Sequence, residues 1–67
     1  MLSHKETING VLCREDGHWI VSGGYGKFPL ANSLQHLPGD RAEGEPVIAQ
    51  VENRVVTDYH FAPVDFD

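Results

Sequence analysis

The chain has 67 residues, of which ten are acidic, five are basic and 40% are hydrophobic, and its net charge is −5. This length fits one domain of marginal stability, because a chain of this size buries only about 60% of the surface that its unfolded form exposes. The negative charge disfavours non-specific binding to nucleic acid, since phosphate backbones are repelled. The composition is too apolar for a disordered chain, and no apolar run is long enough to span a bilayer.

The cysteine and histidine content argues against a disulfide or a structural metal. Cys13 is the only cysteine, so no internal disulfide can form, and a lone thiol fits a reducing, cytoplasmic compartment. A structural zinc site needs four Cys or His ligands at short paired spacings, whereas the four histidines are widely scattered. We therefore predict no metal and no cofactor. We expect the missing stability to come from another protein or from a second copy of the chain.

The first predicted hairpin is centred on Asp16-Gly17, a dipeptide typical of a two-residue type I′ turn. The first strand is expected to run from about Thr7 to Glu15, with Gly10 as a bulge or bend inside it. Both faces of this strand pair are largely apolar, which is typical of strongly bent strands in a small barrel. The turn predicts the pairs Arg14–Trp19, Cys13–Ile20 and Leu12–Val21.

A third strand and a short helix are predicted in the middle of the chain. The three glycines in 23–26 predict a turn, and a short strand is expected over 27–30. Leucines recur at i, i+4 and i+7 from Leu30 onward, which is helical spacing. Pro38-Gly39 ends this pattern, as expected just beyond a helix. We therefore predict a helix of about two turns over 31–37 that covers one open end of the sheet.

Two alternating runs of residues predict a second hairpin after a polar, acidic loop over 39–45. A three-residue loop, Glu52-Asn53-Arg54, puts the apolar residues of both strands on one face. Arg54 would then take the left-handed conformation, in which Asn or Gly is preferred. A different loop length leaves the hairpin itself unchanged. The three-residue loop predicts the pairs Val51–Val55, Ala49–Thr57 and Val47–Tyr59.

The predicted order is three strands, a short helix and a two-strand hairpin, in a single domain with a core over 7–61 and flexible ends over 1–6 and 62–67. This order resembles that of the OB fold, a five-stranded, partly open barrel with a helix between its third and fourth strands. An SH3-like barrel, or a meander completed by a second subunit, has almost the same order. We therefore predict a small all-β protein, a five-stranded, partly open OB-like or SH3-like barrel with one short helix between strands 3 and 4.

The candidate binding residues lie in and around the glycine-rich loop: Trp19, Tyr25, Lys27 and Phe28. Aromatic side chains beside a lysine on a pliable loop offer a stacking surface for a base, a sugar ring or a peptide. Alternatively, the glycines only mark a turn and Tyr25 packs over the barrel rim. Trp19 forms a cation–π pair with Arg14, is an exposed recognition platform, or is the largest piece of the core, and the last interpretation is the most usual one.

The sequence carries no recognisable catalytic arrangement. Cys13 falls on an apolar face, with nothing to indicate a histidine base beside it. The close carboxylate pairs lie in turns, where they are solvated. Asp58 and His60 share a strand face, but a third metal ligand at matching spacing is missing. We therefore predict that the protein is not an enzyme.

The function that fits these features is a small protein-interaction module, an adaptor, inhibitor or regulator that acts through a barrel face or a sheet edge. One alternative is an OB-like protein that binds single-stranded nucleic acid through the four candidate residues, although only five cations are present and they are spread along the chain. Another is a structural domain that forms dimers. The acidic and aromatic tail over 62–67 is either a docking motif or a frayed terminus.

Overall fold

The computed structural model describes residues 5–37, 39 and 41–61. Five antiparallel strands form a single sheet with the order β3-β2-β1-β4-β5, which confirms the prediction of a small all-β protein. Within the described residues, no helix is long and apolar enough to cross a membrane. Of the predicted flexible ends over 1–6 and 62–67, residues 1–4 and 62–67 lie outside the described residues, whereas Lys5 and Glu6 belong to the first strand. The strands are β1 (Lys5–Glu15), β2 (His18–Gly23), β3 (Gly26–Pro29), β4 (Pro46–Glu52) and β5 (Val55–Phe61).

The two edges of the sheet approach each other, but the sheet is not closed. One isolated parallel bridge joins Leu30, immediately after β3, to Val56 of β5. The Ala31 N–H donates to the Val56 carbonyl over 3.0 Å, and the Leu30 N–H donates to the Trp19 carbonyl over 3.4 Å. These bonds hold the chain extended at the point where the helix was predicted to begin.

A 3-10 helix of three residues, Asn32–Leu34, takes the place of the predicted two-turn helix over 31–37. Leu30 belongs to the sheet rather than to a helical stripe, and Ala31 has extended backbone angles (φ −61°, ψ 156°). Too few residues then remain before Pro38 for a stable α-helix, because the first hydrogen-bonded turn of a helix is costly to form.

The first hairpin has the predicted turn and the predicted register. Asp16 and Gly17 both have positive φ, 53° and 79°, as a type I′ turn requires. All three predicted residue pairs are present. On the outer face, Ile20 is buried, Cys13 is half-buried and Val11 is 39% exposed.

β1 is the central strand, and it changes partner along its length. Its first residues pair only with β4, its last residues only with β2, and Gly10 and Val11 pair with both. Neither ladder has a register shift at Gly10, so the predicted bulge is absent there. Gly10 is instead a point of close approach to β2, because a Cβ atom on it would lie 2.6 Å from the Ser22 carbonyl oxygen.

The second hairpin differs from the predicted one in its loop and register. Asn53 and Arg54 form a two-residue turn with φ of 56° and 70°. The type I′ twist of such a turn suits the twist of the flanking strands better than a longer loop does. A β-bulge at Thr57 then restores the alternation, so that Val56 and Tyr59 both face the core. The observed pairs include Glu52–Val55, Val51–Val56, Gln50–Asp58, Ala49–Tyr59 and Val47–Phe61.

The hydrophobic core lies mainly on one face of the bent sheet. Four aromatic or aliphatic side chains that are only partly buried pack around it: Trp19, Leu34, Tyr59 and Phe61. None of the described polar or charged residues is buried. The core is therefore small and almost entirely aliphatic. Its buried residues are Ile8, Leu12, Ile20, Val21, Phe28, Leu30, Val47, Ala49, Val51 and Val56.

The loop before β4 is attached to the sheet at both ends of its described part. The Leu12 N–H donates to the Glu45 carbonyl and the Gly44 N–H donates to the Leu12 carbonyl, over 2.9 and 2.7 Å. The Arg41 guanidinium lies 3.8 Å from the centre of the Phe61 ring and pairs with the Glu45 carboxylate at 2.8 Å. Hydrogen bonds from the Ala42 N–H and from Arg41 lower the pKa of Glu45. This acidic loop therefore packs on the sheet.

Candidate binding site at the hairpin end

Three segments meet at one end of the sheet, which we call the hairpin end. They are the start of β1 and the two turns Gly24-Tyr25 and Asn53-Arg54. The β1–β4 ladder places Lys5 opposite Glu52, directly before the second of these turns. The Tyr25 hydroxyl reaches β1 and donates to the Glu6 carboxylate. Residues far apart in sequence are therefore assembled here by the strand order.

Tyr25 lies in a two-residue turn that is flanked by glycines. Gly23 pairs with Gly26 across the turn. Gly24 has φ of +60°, which matches the first central residue of a type II′ turn and favours glycine. Tyr25 occupies the second central position, from which its side chain projects. The local sequence thus fixes where this aromatic side chain emerges.

Tyr25 is exposed but held at two points. It is 63% exposed, and its ring meets the buried Phe28 ring edge-to-face, with 5.4 Å between the centroids. Its hydroxyl lies 2.5 Å from both oxygens of the Glu6 carboxylate. This hydrogen bond, with help from desolvation and the Glu6 charge, raises the pKa of Tyr25, whereas the Arg54 charge opposes the shift. A large aromatic surface is thus presented to solvent in a fixed orientation.

Arg54 supplies a cation beside this aromatic ring. Its φ of +70° is uncommon for a residue other than Gly, Asn or Asp. This conformation costs about 1 kcal/mol, and non-glycine residues held in it concentrate at functional sites. Among the described residues, no carboxylate forms an ion pair with the Arg54 guanidinium. The guanidinium is thus open to an external anion.

A shallow pocket of about 470 Å³ lies between the two turns. The buried Val51 contributes to its floor, and charged groups of both signs stand on its rim. Such a pocket accepts an apolar side chain while its rim binds polar groups. The lining residues are Glu6, Tyr25, Val51, Asn53 and Arg54.

The other candidate residues from the sequence lie elsewhere or are buried. Phe28 is only 3% exposed and belongs to the core, where it supports Tyr25 from below. Lys27 is exposed, and its ammonium pairs with the Glu15 carboxylate at 2.6 Å, which raises the pKa of Lys27. Trp19 is half-buried near the opposite end of β2 from Tyr25. The structure therefore brings Tyr25 and Phe28 together and leaves Trp19 apart.

Trp19 combines a core position with a cation–π contact, and its proposed use as a recognition platform stays a prediction. It packs against the core cluster, and the Arg14 guanidinium lies over its ring, 4.9 Å from the centroid. Part of the indole stays accessible. The ring is therefore a core component with a cation covering one side.

Several residues of the hairpin end were not identified from the sequence. The sequence did not indicate a role for Glu6, since it lies 19 residues from Tyr25 and at the edge of a segment predicted to be flexible. The sequence did single out Arg54, because the predicted loop already required it to take a left-handed conformation. Val51 was predicted as a core residue only. The position of each of these residues at the hairpin end depends on contacts between segments that are distant in the sequence.

The remaining titratable and nucleophilic side chains of the described residues form no metal-binding cluster. In the part of the chain that the structure describes, no three His, Cys, Asp or Glu side chains are grouped so as to hold a metal ion. Asp58 and His60 lie 3.7 Å apart on β5 and are both exposed. Comparison with protein-family models, curated proteins and solved structures found no match.

Proposed function

We propose that this chain is a non-enzymatic protein-interaction module and that its hairpin end contacts the partner. The observation that carries this proposal is Tyr25, a large aromatic side chain that is 63% exposed yet fixed by Glu6 and Phe28. Tyrosine and arginine are enriched among the residues that contribute most to protein–protein binding. A side chain already held in place loses little conformational entropy when a partner covers it.

The expected partner segment complements the groups around the pocket. An apolar side chain would enter between Tyr25 and Val51, and a carboxylate would pair with the Arg54 guanidinium. Arg54 supports this assignment because it sits in a strained turn with no anionic partner among residues 5–37, 39 and 41–61. Glu6 lines the same pocket, but its carboxylate is held by the Tyr25 hydroxyl and forms no ion pair with Arg54 among the described residues.

The barrel type is part of the same proposal. The strand order and the parallel bridge between Leu30 and Val56 support an incompletely closed, OB-like arrangement. OB folds bind through the face of strands 2 and 3 and through the loops after strands 1 and 4. The Asn53-Arg54 turn is the loop after β4, which agrees with a contact at the hairpin end. We also propose a cytoplasmic location, for which the support is the single cysteine, Cys13.

Capture of the partner from a host extract tests the proposed contact. The immobilised wild-type protein should retain one stoichiometric partner, and Tyr25→Ala should weaken its binding about 30-fold, equivalent to about 2 kcal/mol. Glu43→Ala is the matched control, because Glu43 is exposed in the loop before β4 and away from the hairpin end. A photo-crosslinking amino acid in place of Tyr25 should label the partner, and one in place of Glu43 should not. Equal binding by wild type and Tyr25→Ala would refute the proposed contact.

Binding of single-stranded nucleic acid is the weaker candidate. Lys27 is paired with Glu15, Phe28 is buried, and a carboxylate stands beside Tyr25. Each of these features reduces stacking on bases or attraction to phosphates. Titration of labelled oligonucleotides at low salt should therefore show no binding at tens of micromolar protein. Tight, salt-sensitive binding in this titration would favour nucleic acid over a protein partner.

A further inference from the structure

The outer edge of β5 is the longer of the two free edges of the sheet. β5 pairs with β4 on one side, and among the described residues the backbone of its other side is bonded only at Val56. Among the described residues, no backbone hydrogen bond joins 57–61 to any segment other than β4. An edge of this kind is a template on which another strand can pair.

The other edge strand, β3, is poorly suited to such pairing. It has only four residues and ends in Pro29, which lacks an N–H group. Its Lys27 is tied to Glu15 of β1, across the intervening strand β2. Short strands and proline are the usual means of protecting a sheet edge. The β3 edge is thus protected by its shortness and its proline, whereas the β5 edge carries only the bulge at Thr57 and the charge of Asp58.

The side chains along the β5 edge are arranged in an alternating pattern. Asp58 and His60 are exposed on the outer face, and Tyr59 and Phe61 are half-buried on the core face. The two aromatic rings meet edge-to-face, with 5.4 Å between the centroids. The order of polar groups along the strand, a carboxylate and then an imidazole on either side of Tyr59, is complementary to itself when the strand is reversed.

We propose that β5 pairs in an antiparallel manner with β5 of a second copy of this chain, about a two-fold axis at Tyr59. This register places Asp58 opposite His60 of the second copy and His60 opposite its Asp58. Two carboxylate–imidazole pairs therefore form on the outer face. On the core face, Tyr59 meets its own counterpart, and Phe61 of each copy lies diagonally within reach of it. The result is a continuous sheet of ten strands.

Complementarity of the opposed carboxylate and imidazole groups, which carry opposite charges when His60 is protonated, is the reason to choose a second copy as the occupant. Directly opposed groups of opposite charge and aromatic cross-strand pairs each stabilise an antiparallel pairing, whereas opposed like charges destabilise it. The exposed part of Tyr59 would be covered at the same time, while the Arg41 guanidinium already lies over the Phe61 ring. With only ten buried hydrophobic residues in its described part, a domain of this size gains from such an extension of its core. None of the residues of the hairpin end lies in this interface, so dimerisation and the proposed partner contact can be tested independently.

Asp58 has two contacts in the single chain that must change on pairing. Its carboxylate accepts the N–H of Tyr59 over 2.9 Å, and it lies 3.7 Å from the Nε2 atom of His60 on the same strand. In the dimer, this N–H turns to the carbonyl of the second copy, and the carboxylate becomes free to bind His60 across the interface. Alternatively, the charge of Asp58 prevents another strand from pairing with this edge. The two roles predict opposite effects when Asp58 is replaced.

Sedimentation of charge variants over a range of concentrations tests the inference. We expect a reversible dimer for the wild type, and we expect His60→Glu to weaken dimerisation about tenfold or more, because it opposes two carboxylates. Asp58→Lys should also weaken it. The double variant D58K/H60E should restore it, because lysine then faces glutamate across the axis. A mixture of the two single variants should form a heterodimer, which a misfolded variant cannot do.

Lys27→Glu is the matched control, because it makes a charge change of similar size on β3, and it should leave the dissociation constant unchanged. Circular dichroism should confirm that each variant keeps its strand content. Three results would each overturn the inference: a wild type that stays monomeric at millimolar concentration, His60→Glu dimers as tight as wild type, or tighter association of Asp58→Lys. Loss of dimerisation with unchanged partner capture would separate this edge from the hairpin end.

Discussion

Gly10 is the residue on which the central strand depends most closely. A Cβ atom on Gly10 would lie 2.6 Å from the Ser22 carbonyl oxygen and 2.9 Å from a methyl group of Val21. Gly23, its partner on β2, is equally restricted, since a Cβ there would approach the Gly10 Cα to 2.5 Å. Backbone atoms cannot move aside as a flexible side chain can. The two strands therefore approach this closely only because both residues are glycine.

Gly10→Ala should lower the free energy of unfolding by about 2–3 kcal/mol, because the added methyl group forces β1 and β2 apart. Gly26→Ala is the control, since its Cβ would meet only the Phe28 ring at 3.8 Å, an ordinary contact. Urea unfolding followed by Trp19 fluorescence measures both changes. A Gly10→Ala protein as stable as Gly26→Ala would contradict the close approach.

The Tyr25–Glu6 hydrogen bond should appear in an alkaline titration. The bond favours protonated Tyr25 in the folded protein and raises its pKa. Its stabilising contribution is therefore complete below the ordinary tyrosine pKa and is lost as the pH rises through the raised value. Glu6→Gln should move one tyrosinate absorbance transition to lower pH. Tyr25→Phe identifies this transition by removing it, and an identical titration of wild type and Glu6→Gln would show that the bond is absent in solution.

At the scale of elements, the β4–β5 hairpin keeps an arginine where glycine would be easier to accommodate. Arg54→Gly creates an Asn-Gly turn, the preferred sequence for the type I′ conformation. We expect this change to raise the free energy of unfolding by up to about 1 kcal/mol and to weaken capture of the partner. Arg54→Lys should keep the strain and most of the binding. Thermal unfolding and the capture assay measure the two effects, and unchanged partner binding by Arg54→Gly would exclude a role for the guanidinium.

The elements differ in how far local sequence determined them. Asp16-Gly17 allows one turn type, so the register of the first hairpin followed directly. Asn53-Arg54 is ambiguous, and the bulge at Thr57 that corrects the alternation has no marker in the sequence. The helical spacing of the leucines was outweighed by the sheet, which holds Leu30 in a bridge to β5. Tertiary contacts override local preference at such positions because each sheet hydrogen bond and buried side chain adds to the same cooperative structure.

At the scale of the molecule, the approach of the two sheet edges depends on Leu30. This side chain is 3% exposed and stands where β3 meets β5. Leu30→Ala should lower the free energy of unfolding by about 2–4 kcal/mol, because it leaves a cavity between the edges. Leu34→Ala should cost less, since Leu34 is only half-buried. Denaturant unfolding compares them, and equal losses would mean that the bridge contributes little to the fold.

The sequence by itself determined the strand-rich character of the protein, the first hairpin, the turn that presents Tyr25 and the absence of an internal disulfide. These are local properties, set by turn residues, by alternation and by the count of one residue type. Only the tertiary structure decided that Phe28 is buried, that Glu6 holds Tyr25 and that Arg54 lies beside them. It also decided that, among the described residues, 57–61 of β5 pair on one side only. Each of these features depends on which strands lie next to each other in the sheet. The order of the strands is determined by the packing of the whole core, so no single segment of the sequence predicts it.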